Sequence, residues 1–388
     1  MKILHVAPIT LTSDDSNPID KETIFKIGGL SKSVTKLAEA QNFNKHDVGV
    51  ISTRNSLRPV SRNIYWDTLS KKSFVKLLFI DPFKTIEKEF GLPDILNTHD
   101  IYEIKQLPFI FYAIRRNIKV FITPRGCLSE VARSEKWIKK SIYITFILNP
   151  LVYFIEGFVA LNEGERKEIR KLYKKKKIPI IHNGIENNEK FFELNKDIFR
   201  KKLARKTINI GFVGRFEVYI KGLDILLEAY VDYQKKVKDI NIVLTLIGEH
   251  SYKKCNSSKY FQKVKSKLID GSKLQIVRPL FNEEKWAAMS DFDLFIHNSR
   301  SEGMPNSVLE AMSIGLPCIV SPQTNMGKII SDSESGWVVK NNKEDLLNLF
   351  SFIESLNKQY LFEIGQKGLK YSQQKLSWEN IAAKSYDQ

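Results

Sequence analysis

The amino-acid sequence predicts an α/β protein in which each half of the chain forms its own doubly wound parallel sheet. Three observations lead to this prediction: the chain has 388 residues, short apolar runs alternate with amphipathic segments, and a polar stretch at 186–206 separates two such series. Two Rossmann-like domains facing across a cleft account for all three. Sheets of this kind bind ligands beyond the carboxyl ends of their strands.

The first series of strands is predicted from apolar runs within residues 1–185. The runs are Ile3–Pro8, Val48–Ile51, Asp94–Thr98, Val120–Thr123, Gly157–Leu161 and Ile178–His182. Helices are expected between them, as at Ser31–Gln41, where apolar residues recur at helical spacing. These residues are predicted to form the N-terminal domain.

A longer apolar stretch, 141–161, raises the question of a transmembrane helix. Pro150 and Glu156 interrupt it, and neither flank is long enough to span a bilayer. It therefore predicts a buried helix followed by a buried strand.

The second series of strands predicts a further domain at 186–371. Its apolar runs are Ile208–Val213, Ile242–Ile247, Leu274–Val277, Leu294–His297 and Pro317–Ser321. Residues 372–388 are predicted to form a helix that crosses back to the N-terminal domain.

Composition and charge narrow the class of protein. Hydrophobic residues make up 43% of the chain and charged residues 27%, which excludes wholesale disorder and a polytopic membrane protein. The formal net charge is +17, and residues 1–185 hold 31 basic and 19 acidic side chains. Such an excess predicts an anionic partner: nucleic acid, an acidic substrate or a phospholipid surface. The three cysteines are far apart and no signal peptide begins the chain, which indicates a cytoplasmic protein.

Two basic clusters stand out in the first half. One contains Lys171 and Lys174–Lys177; in the other, Arg133, Lys136, Lys139 and Lys140 surround Trp137 and Ile138. No nucleic-acid-binding motif accompanies them, so no nucleic-acid partner is expected. Apolar residues between lysines suit an anionic membrane surface, and a solvated basic face is the alternative.

The strongest candidate for a functional site spans 299–312. An apolar strand leads into a Gly/Pro loop with Glu302, and a helix then opens near Asn306 and carries Glu310 one turn further on. Free N–H groups at a helix N-terminus bind phosphate, and carboxylates at either end would accept hydrogen bonds from sugar hydroxyls. A capped helix with two surface glutamates is the alternative interpretation.

A second element lies upstream of it. The strand ending at Gly214 is followed by Arg215 and, six residues later, by Lys221 just before a helix. The bidentate fork of arginine and the point charge of lysine suit a diphosphate leaving group. Solvated surface cations are the alternative.

Together these motifs resemble glycosyltransferase family 4, whose members are retaining enzymes of the GT-B fold. The Glu-x7-Glu pair, Gly-Arg followed by Lys-Gly, Asn183-Gly184 and Gly28-Gly29-Leu30 occur in the family's order. The resemblance covers nearly the whole chain and is most specific across 208–340.

The resemblance implies roles for individual residues. Arg215 and Lys221 would stabilise the departing pyrophosphate, Glu302 would hold the transferred sugar, and Glu310 the ribose. Donor contacts are further implied for Gly28, Gly29, Gly214, Val277, Pro279, Leu280, Gly303, Met304, Pro305, Asn306, Ser307 and Val308.

One departure from the family pattern concerns the loop after the strand Val120–Thr123. The family often has a histidine before the glycine, whereas this chain has Arg125. Arginine is not a base near neutral pH, so Arg125 would stabilise developing negative charge or bind an anionic acceptor. A structural arginine that ties down the loop is the alternative.

Further candidates for the acceptor side follow other strands. They are His99, Asp100, Asn162, Glu163 and Glu165, and a structural histidine remains the alternative for His99.

The sequence disfavours two other kinds of site. Asp291 and Asp293 imitate an Asp-x-Asp metal motif, but GT-B enzymes do not generally need a metal, so no cofactor is expected. No Gly-x-Gly-x-x-Gly follows the first strand, which disfavours a nicotinamide enzyme.

The resemblance therefore implies a hexosyltransferase that moves a sugar from a nucleotide donor to a glycan, with retention. The acceptor is expected to be linked to polyprenyl diphosphate, at the inner face of the cytoplasmic membrane, in O-antigen or capsule synthesis. The alternatives are a nucleotide-sugar epimerase and an inactive glycan- or lipid-binding relative.

Overall fold

The computed structural model describes residues 1–12, 26–54, 60–69, 76–77, 79–134, 136–186, 199, 201–251 and 256–383. The chain divides into two compact units. The first contains Met1–Gly184 and Leu376–Gln388, and the second contains Ile185–Lys375.

The first unit is built on a six-stranded parallel sheet. Its strands, with a short antiparallel pair, are β1 (Lys2–Ala7), β2 (Leu11–Thr12), β3 (Lys26–Ile27), β4 (Asp47–Ser52), β5 (Tyr65–Thr68), β6 (Ile95–His99), β7 (Lys119–Thr123) and β8 (Gly157–Phe158). The sheet order is β5-β4-β1-β6-β7-β8, and β2 pairs with β3. The order reverses between β1 and β6, the switch point at which doubly wound sheets bind ligands.

Helices cover this sheet. They are α1 (Gly29–Phe43), α2 (Phe83–Glu89), α3 (Leu107–Arg115), α4 (Glu130–Ser134), α5 (Trp137–Tyr143), α6 (Asn149–Phe154) and α7 (Glu163–Leu172). A π-helical segment, Ile144–Leu148, joins α5 to α6. The core contains fully buried side chains from both layers, such as Leu4, Phe109 and Phe158.

The second unit repeats the same topology. Its strands are β9 (Ile208–Val213), β10 (Ile242–Ile247), β11 (Leu274–Val277), β12 (Leu294–His297), β13 (Cys318–Val320) and β14 (Gly336–Val338), in the order β11-β10-β9-β12-β13-β14. Its helices are α8 (Leu223–Lys236), α9 (Ser257–Lys265), α10 (Asn282–Ser290), α11 (Asn306–Ser313), α12 (Gly327–Asp332), α13 (Lys343–Glu354) and α14 (Lys358–Lys375). The switch point lies between β9 and β12.

The last helix, α15 (Trp378–Ala382), belongs to the first unit. Its Trp378 and Ile381 pack with Leu37 of α1 in one apolar cluster. A Cβ on Gly184 would lie 2.5 Å from the Trp378 ring, so the indole sits directly on that backbone. The prediction of one helix over 372–388 is wrong, because α14 ends at Lys375 and Ser377 caps α15 anew; residues 384–388 lie outside the described residues.

Most predicted strands are confirmed, and β9 to β12 have the predicted bounds. The segment Ile178–His182 is not a strand: it makes only an isolated bridge through Ile180, and Pro179 has no N–H to give to a ladder. The strands β5 and β14, at opposite edges of their sheets, were not predicted.

The helix predicted to be buried within 141–161 lies instead at the surface. Phe146 is 73% exposed and Tyr153 is 80% exposed, although Leu148 and Val152 are buried. Hydrophobicity alone does not tell which side of a helix faces the core. Among the described residues, the helices are too short or too polar to cross a membrane.

Candidate active site

Polar side chains from two neighbouring strands of the second sheet meet beside its switch point. His297 ends β12 and a loop then leads to α11, whereas Lys221 precedes α8, the helix that follows β9. Because the carboxyl ends of parallel strands share one edge of a sheet, these side chains lie close together. Pro305 is the N-cap of α11, with φ −72° and ψ 119°, so the helix begins at this edge.

Glu302 is the centre of this cluster. Its Oε1 lies 2.5 Å from Lys221 Nζ, 2.9 Å from Ser299 Oγ and 3.0 Å from His297 Nε2. The side chains of Lys221 and Glu302 are each 15% exposed. Three donors therefore surround this carboxylate oxygen in a largely buried setting. They hold it in one position, where it presents a negative charge to a ligand.

The charges of the cluster follow from these contacts. Burial opposes ionisation of Glu302, but the Lys221 charge and the His297 hydrogen bond outweigh it and hold the pKa of Glu302 well below its usual range. Burial lowers the pKa of His297, although its bond to Glu302 opposes the shift. Glu302 is therefore an anion and His297 a neutral donor at neutral pH.

The loop backbone is held by the turn that follows β13. Asn325 Nδ2 donates to the Glu302 carbonyl at 2.8 Å, and Glu302 N donates to Gln323 O at 3.1 Å. Ser321 Oγ bonds Ser299 O at 2.6 Å. The position of the carboxylate is therefore set by the fold as well as by its ionic partner.

Gly222 places Lys221 against the same loop. It has φ +67° as the N-cap of α8, and a Cβ there would lie 2.3 Å from the Asn298 carbonyl oxygen. Asn298 Nδ2 in turn donates to Gly222 O at 2.8 Å. Only glycine meets both requirements, since a positive φ disfavours other residues.

Glu310 and Arg215 lie outside the Glu302 cluster. Glu310 Oε1 pairs with Lys285 Nζ of α10 at 2.8 Å, and both side chains are largely buried. Arg215 is 65% exposed and lies 3.5 Å from Glu217. Within the part of the chain that the structure describes, no contact joins Arg215 to Glu302, so a shared ligand would have to bring them together.

The other predicted donor residues occupy both units. In the second, Gly214 follows β9, Val277 ends β11 with Pro279 and Leu280 beyond it, and Gly303 and buried Met304 lie in the loop before α11, which starts Asn306-Ser307-Val308. In the first, Gly28 and Gly29 are exposed at the N-terminus of α1. Ser307 Oγ lies 3.5 Å from His297 Nδ1.

In the first unit, Arg125 follows β7 in the left-handed region, with φ +54°. Its Nε lies 3.3 Å from His99 Nδ1, and its NH1 donates to Asn183 Oδ1 at 3.1 Å. Beneath this loop, the buried carboxylate of Glu165 accepts hydrogen bonds from Gly126 N at 2.5 Å and Leu161 N at 2.7 Å. The loop that carries Arg125 is therefore anchored to Glu165 through the backbone N–H of Gly126.

The remaining acceptor-side candidates have structural partners. Asn162 Oδ1 caps α7 by accepting from Glu165 N at 2.8 Å, and Glu163 pairs with Arg166 at the surface. Asp100 has φ +76°, and its Oδ1 accepts from Tyr102 N at 3.1 Å. Each of these residues therefore makes a contact that stabilises its own part of the fold.

Asp291 and Asp293 are tied into the opposite edge of the second sheet. Asp291 accepts from Arg205 NH1 at 2.9 and 3.0 Å, and Asp293 Oδ2 accepts from Asn209 N at 2.8 Å. Lys358 lies 3.5 Å from Asp293. Both aspartates of the Asp-x-Asp pattern therefore have hydrogen-bond or ionic partners within the fold.

Sequence reasoning did not single out His297 and Ser299 for Glu302, Lys285 for Glu310, or His5 and Gln41 behind His99. A histidine within the apolar strand β1 was a usable signal, because an isolated polar group in a buried strand needs a partner. The contacts of Ser299 and Lys285 arise from folding of the loop and of α10.

Two protein-family descriptions match the chain. One, Glycosyltransferase Family 4, matches residues 27–189, and the other, Glycosyl transferases group 1, matches residues 195–362. The first match lies largely in the first unit and the second in the second unit.

Named relatives are transferases. The chain is 26% identical to the N,N'-diacetylbacillosaminyl-diphospho-undecaprenol alpha-1,3-N-acetylgalactosaminyltransferase of Campylobacter jejuni, over 64% of each chain. It is 24% identical to the capsular polysaccharide biosynthesis glycosyltransferase CapM of Staphylococcus aureus, over 70% of each chain. The structure of Anabaena HepE in complex with UDP and glucose has the same fold, with a TM-score of 0.69 and 14% identity over 99% of this chain and 97% of HepE.

Proposed function

The chain belongs to glycosyltransferase family 4 and is a glycosyltransferase of the GT-B fold, and we propose that its donor is a nucleotide-diphosphate sugar. The proposed reaction moves a hexose to a glycan on polyprenyl diphosphate with retention at the anomeric carbon. The product would be a bacterial surface polysaccharide of the O-antigen or capsule type, and no metal or other cofactor takes part. The named relatives from Campylobacter and Staphylococcus support this choice of acceptor and pathway.

The observation that carries the proposal is the cluster of Lys221, His297 and Ser299 around Glu302. It lies at the ligand-binding edge of a doubly wound sheet, next to the start of α11. An ionised carboxylate there suits the hydroxyls of a sugar, and a helix N-terminus with nearby cations suits a diphosphate.

In the proposed reaction, the bond from the anomeric carbon to the diphosphate oxygen breaks, and its electron pair stays on that oxygen. Lys221, Arg215 and the N-terminus of α11 stabilise the growing negative charge. Preorganised charges of this kind supply most of the rate enhancement in many enzymes. Glu302 holds the sugar hydroxyls, and Glu310 holds the ribose.

The acceptor hydroxyl forms the new bond on the face that the diphosphate leaves, and its proton passes to the departing phosphate oxygen. Arg125 cannot take that proton, because guanidinium stays protonated at neutral pH. We assign Arg125 instead to an anionic oxygen of the acceptor.

A panel of UDP and GDP sugars, screened by thermal unfolding, tests the donor. The matching donor at a hundred times its Kd is expected to add about 2.7 kcal/mol of stability, a shift of several degrees. Transfer to a polyprenyl-diphosphate glycan should then give a product with the anomeric configuration of the donor by NMR. Inversion would contradict the mechanism, and epimerised donor formed without acceptor would replace it with the epimerase alternative.

We further propose that the first unit docks on an anionic phospholipid bilayer. The helical segment 137–154 presents a row of large apolar side chains to solvent, with Trp137 63% exposed, Phe146 73% and Phe154 65%. Aromatic residues on an exposed helix are typical of interfacial membrane binding.

A group of cations from α7 and the segment after it is tied to the end of this helical segment. Arg166, Arg170, Lys176 and Lys177 line a cavity of about 290 Å³. Lys176 Nζ donates to Tyr153 O at 3.1 Å and to Ile155 O at 2.6 Å, which ties the basic segment to the end of the apolar helix. We infer that this basic cavity binds lipid phosphate while the apolar side chains of 137–154 enter the acidic leaflet. Docking there would bring the enzyme to lipid-linked acceptors at the inner face of the cytoplasmic membrane.

Co-sedimentation with phosphatidylglycerol vesicles tests this proposal. The Phe146→Ser variant is expected to bind roughly tenfold more weakly, because burying a phenylalanine is worth about 1.5–3 kcal/mol. Phe43→Ser is the matched control: Phe43 is 75% exposed in the same unit but lies on α1. Equal loss in both variants, or binding that ignores high salt and lipid charge, would contradict docking through this surface.

A further inference from the structure

A pair of buried histidines lies at the switch point of the first sheet. His5 on β1 and His99 on β6 are both fully buried, and their rings stack at 5.2 Å. His5 Nδ1 lies 2.9 Å from His99 Nε2, and His5 Nε2 lies 2.7 Å from Gln41 Oε1. With Arg125 Nε at 3.3 Å from His99 Nδ1, the four side chains form one continuous hydrogen-bonded chain.

The position of each proton in this chain follows from Arg125. Guanidinium only donates, so His99 Nδ1 must accept. A neutral His99 then carries its proton on Nε2 and donates to His5 Nδ1, and His5 donates from Nε2 to Gln41 Oε1. Burial, opposed by the Gln41 hydrogen bond, lowers the pKa of His5 to about 4, and burial with the Arg125 charge holds the pKa of His99 well below its usual range.

The reverse direction is excluded while Arg125 is present. It would put a proton on His99 Nδ1, facing the Arg125 Nε–H, and two donors repel. The cost of the inferred direction falls on Gln41, whose Nε2 is buried without a hydrogen-bond partner among the described residues. This direction of the hydrogen-bonded chain keeps His99 Nδ1 as an acceptor for the guanidinium and leaves Gln41 Nε2 unsatisfied.

The guanidinium itself is half-buried and held on two sides. Two uncharged acceptors, His99 and Asn183, fix the direction of its Nε–H and NH1 groups. It borders a cavity of about 10 Å³ that Asn97 and Thr123 also line. A cavity of this size holds about one water molecule. Because so little empty space adjoins it, the arginine side chain has little room to move.

We propose that His5 and His99 are positioning residues that aim Arg125 at the anionic group of the acceptor. The inference rests on the proposed function, because the target of Arg125 is the acceptor of that reaction. His5 thereby acts on the substrate through two intervening side chains.

Nitrogen-15 NMR of the full-length protein with labelled histidine tests the hydrogen-bonded chain without any substrate. Both rings are expected to show an unprotonated Nδ1 and a protonated Nε2, unchanged from pH 6 to 8. The His5→Asn and His99→Gln variants assign the signals. A protonated Nδ1 on His99, or titration of either ring in this range, would overturn the chain whether or not the enzyme is active.

Two substitutions at His5 test positioning. Asparagine places an amide oxygen near the former Nδ1 and still accepts from His99, whereas leucine has similar bulk and no acceptor. His5→Leu is expected to lower kcat of the order of tenfold with an unchanged KM for the nucleotide sugar, and His5→Asn to retain most of kcat.

Unfolding by urea is measured for both variants so that kcat refers to folded enzyme. Equal kcat in the two folded variants would overturn the positioning role. If no donor and acceptor pair supports transfer by the wild-type protein, the proposed function fails, and the NMR result still decides the hydrogen-bonded chain.

Discussion

Lys221→Met is expected to lower kcat by about 10²–10³-fold, the typical loss when one preorganised charge-stabilising group is removed. It is also expected to destabilise the second unit by about 3 kcal/mol, because Glu302 would keep a charge in a largely buried place without its ionic partner. Kinetics with the matched donor and urea unfolding measure the two effects separately.

A double variant separates catalysis from stability. In Lys221→Met/Glu302→Gln no charge is left at this pair, so most of the stability is expected to return while turnover stays low. Lys367→Met is the control for loss of a lysine: Lys367 is 54% exposed and pairs with exposed Glu334, and such pairs contribute little. Normal turnover in the single or double variant would contradict the mechanism.

Gly222→Ala is expected to destabilise the second unit by about 3 kcal/mol and to lower turnover. The left-handed backbone costs about 1–2 kcal/mol for a residue with a Cβ, and overpacking against the Asn298 carbonyl costs about 1–3 kcal/mol more. Relief of the clash would move Lys221 away from Glu302. For a unit of this size the melting temperature should fall by roughly 6–12 °C in calorimetry.

Gly271→Ala is the matched control for this change. It lies in the same unit, and the nearest atom to its added Cβ is Lys265 O at 3.6 Å, an ordinary contact. Its stability should stay within about 0.5 kcal/mol of wild type. Equal melting temperatures for the two variants would show that Gly222 does not constrain the loop.

The central strands were predictable because burial on both faces leaves an uninterrupted apolar run. Phe212 in β9 and Leu244 in β10 are fully buried, and the observed bounds match those predicted. The edge strands β5 and β14 carry mixed, partly exposed residues such as Asp67, and their pattern does not differ from that of a loop.

The motif residues of the candidate site were also predictable, but their pairings were not. Lys221 and Glu302 were expected to bind different parts of one donor, whereas the structure joins them directly. That contact spans 81 residues of sequence and depends on the Gly222 conformation and on the turn holding Glu302. The link between His5 and His99 spans 94 residues and follows from the pairing of β1 with β6.

The return of α15 to the first unit has a consequence for synthesis on the ribosome. Trp378 and its neighbours complete a core whose other residues, such as Leu37 and Phe121, are translated before the whole second unit. At 5–20 residues per second, the intervening Ile185–Lys375 takes roughly 10–40 s to make. During that interval the nascent first unit exposes the apolar patch around Gly184, so the first unit completes its core only after the second unit has been synthesised.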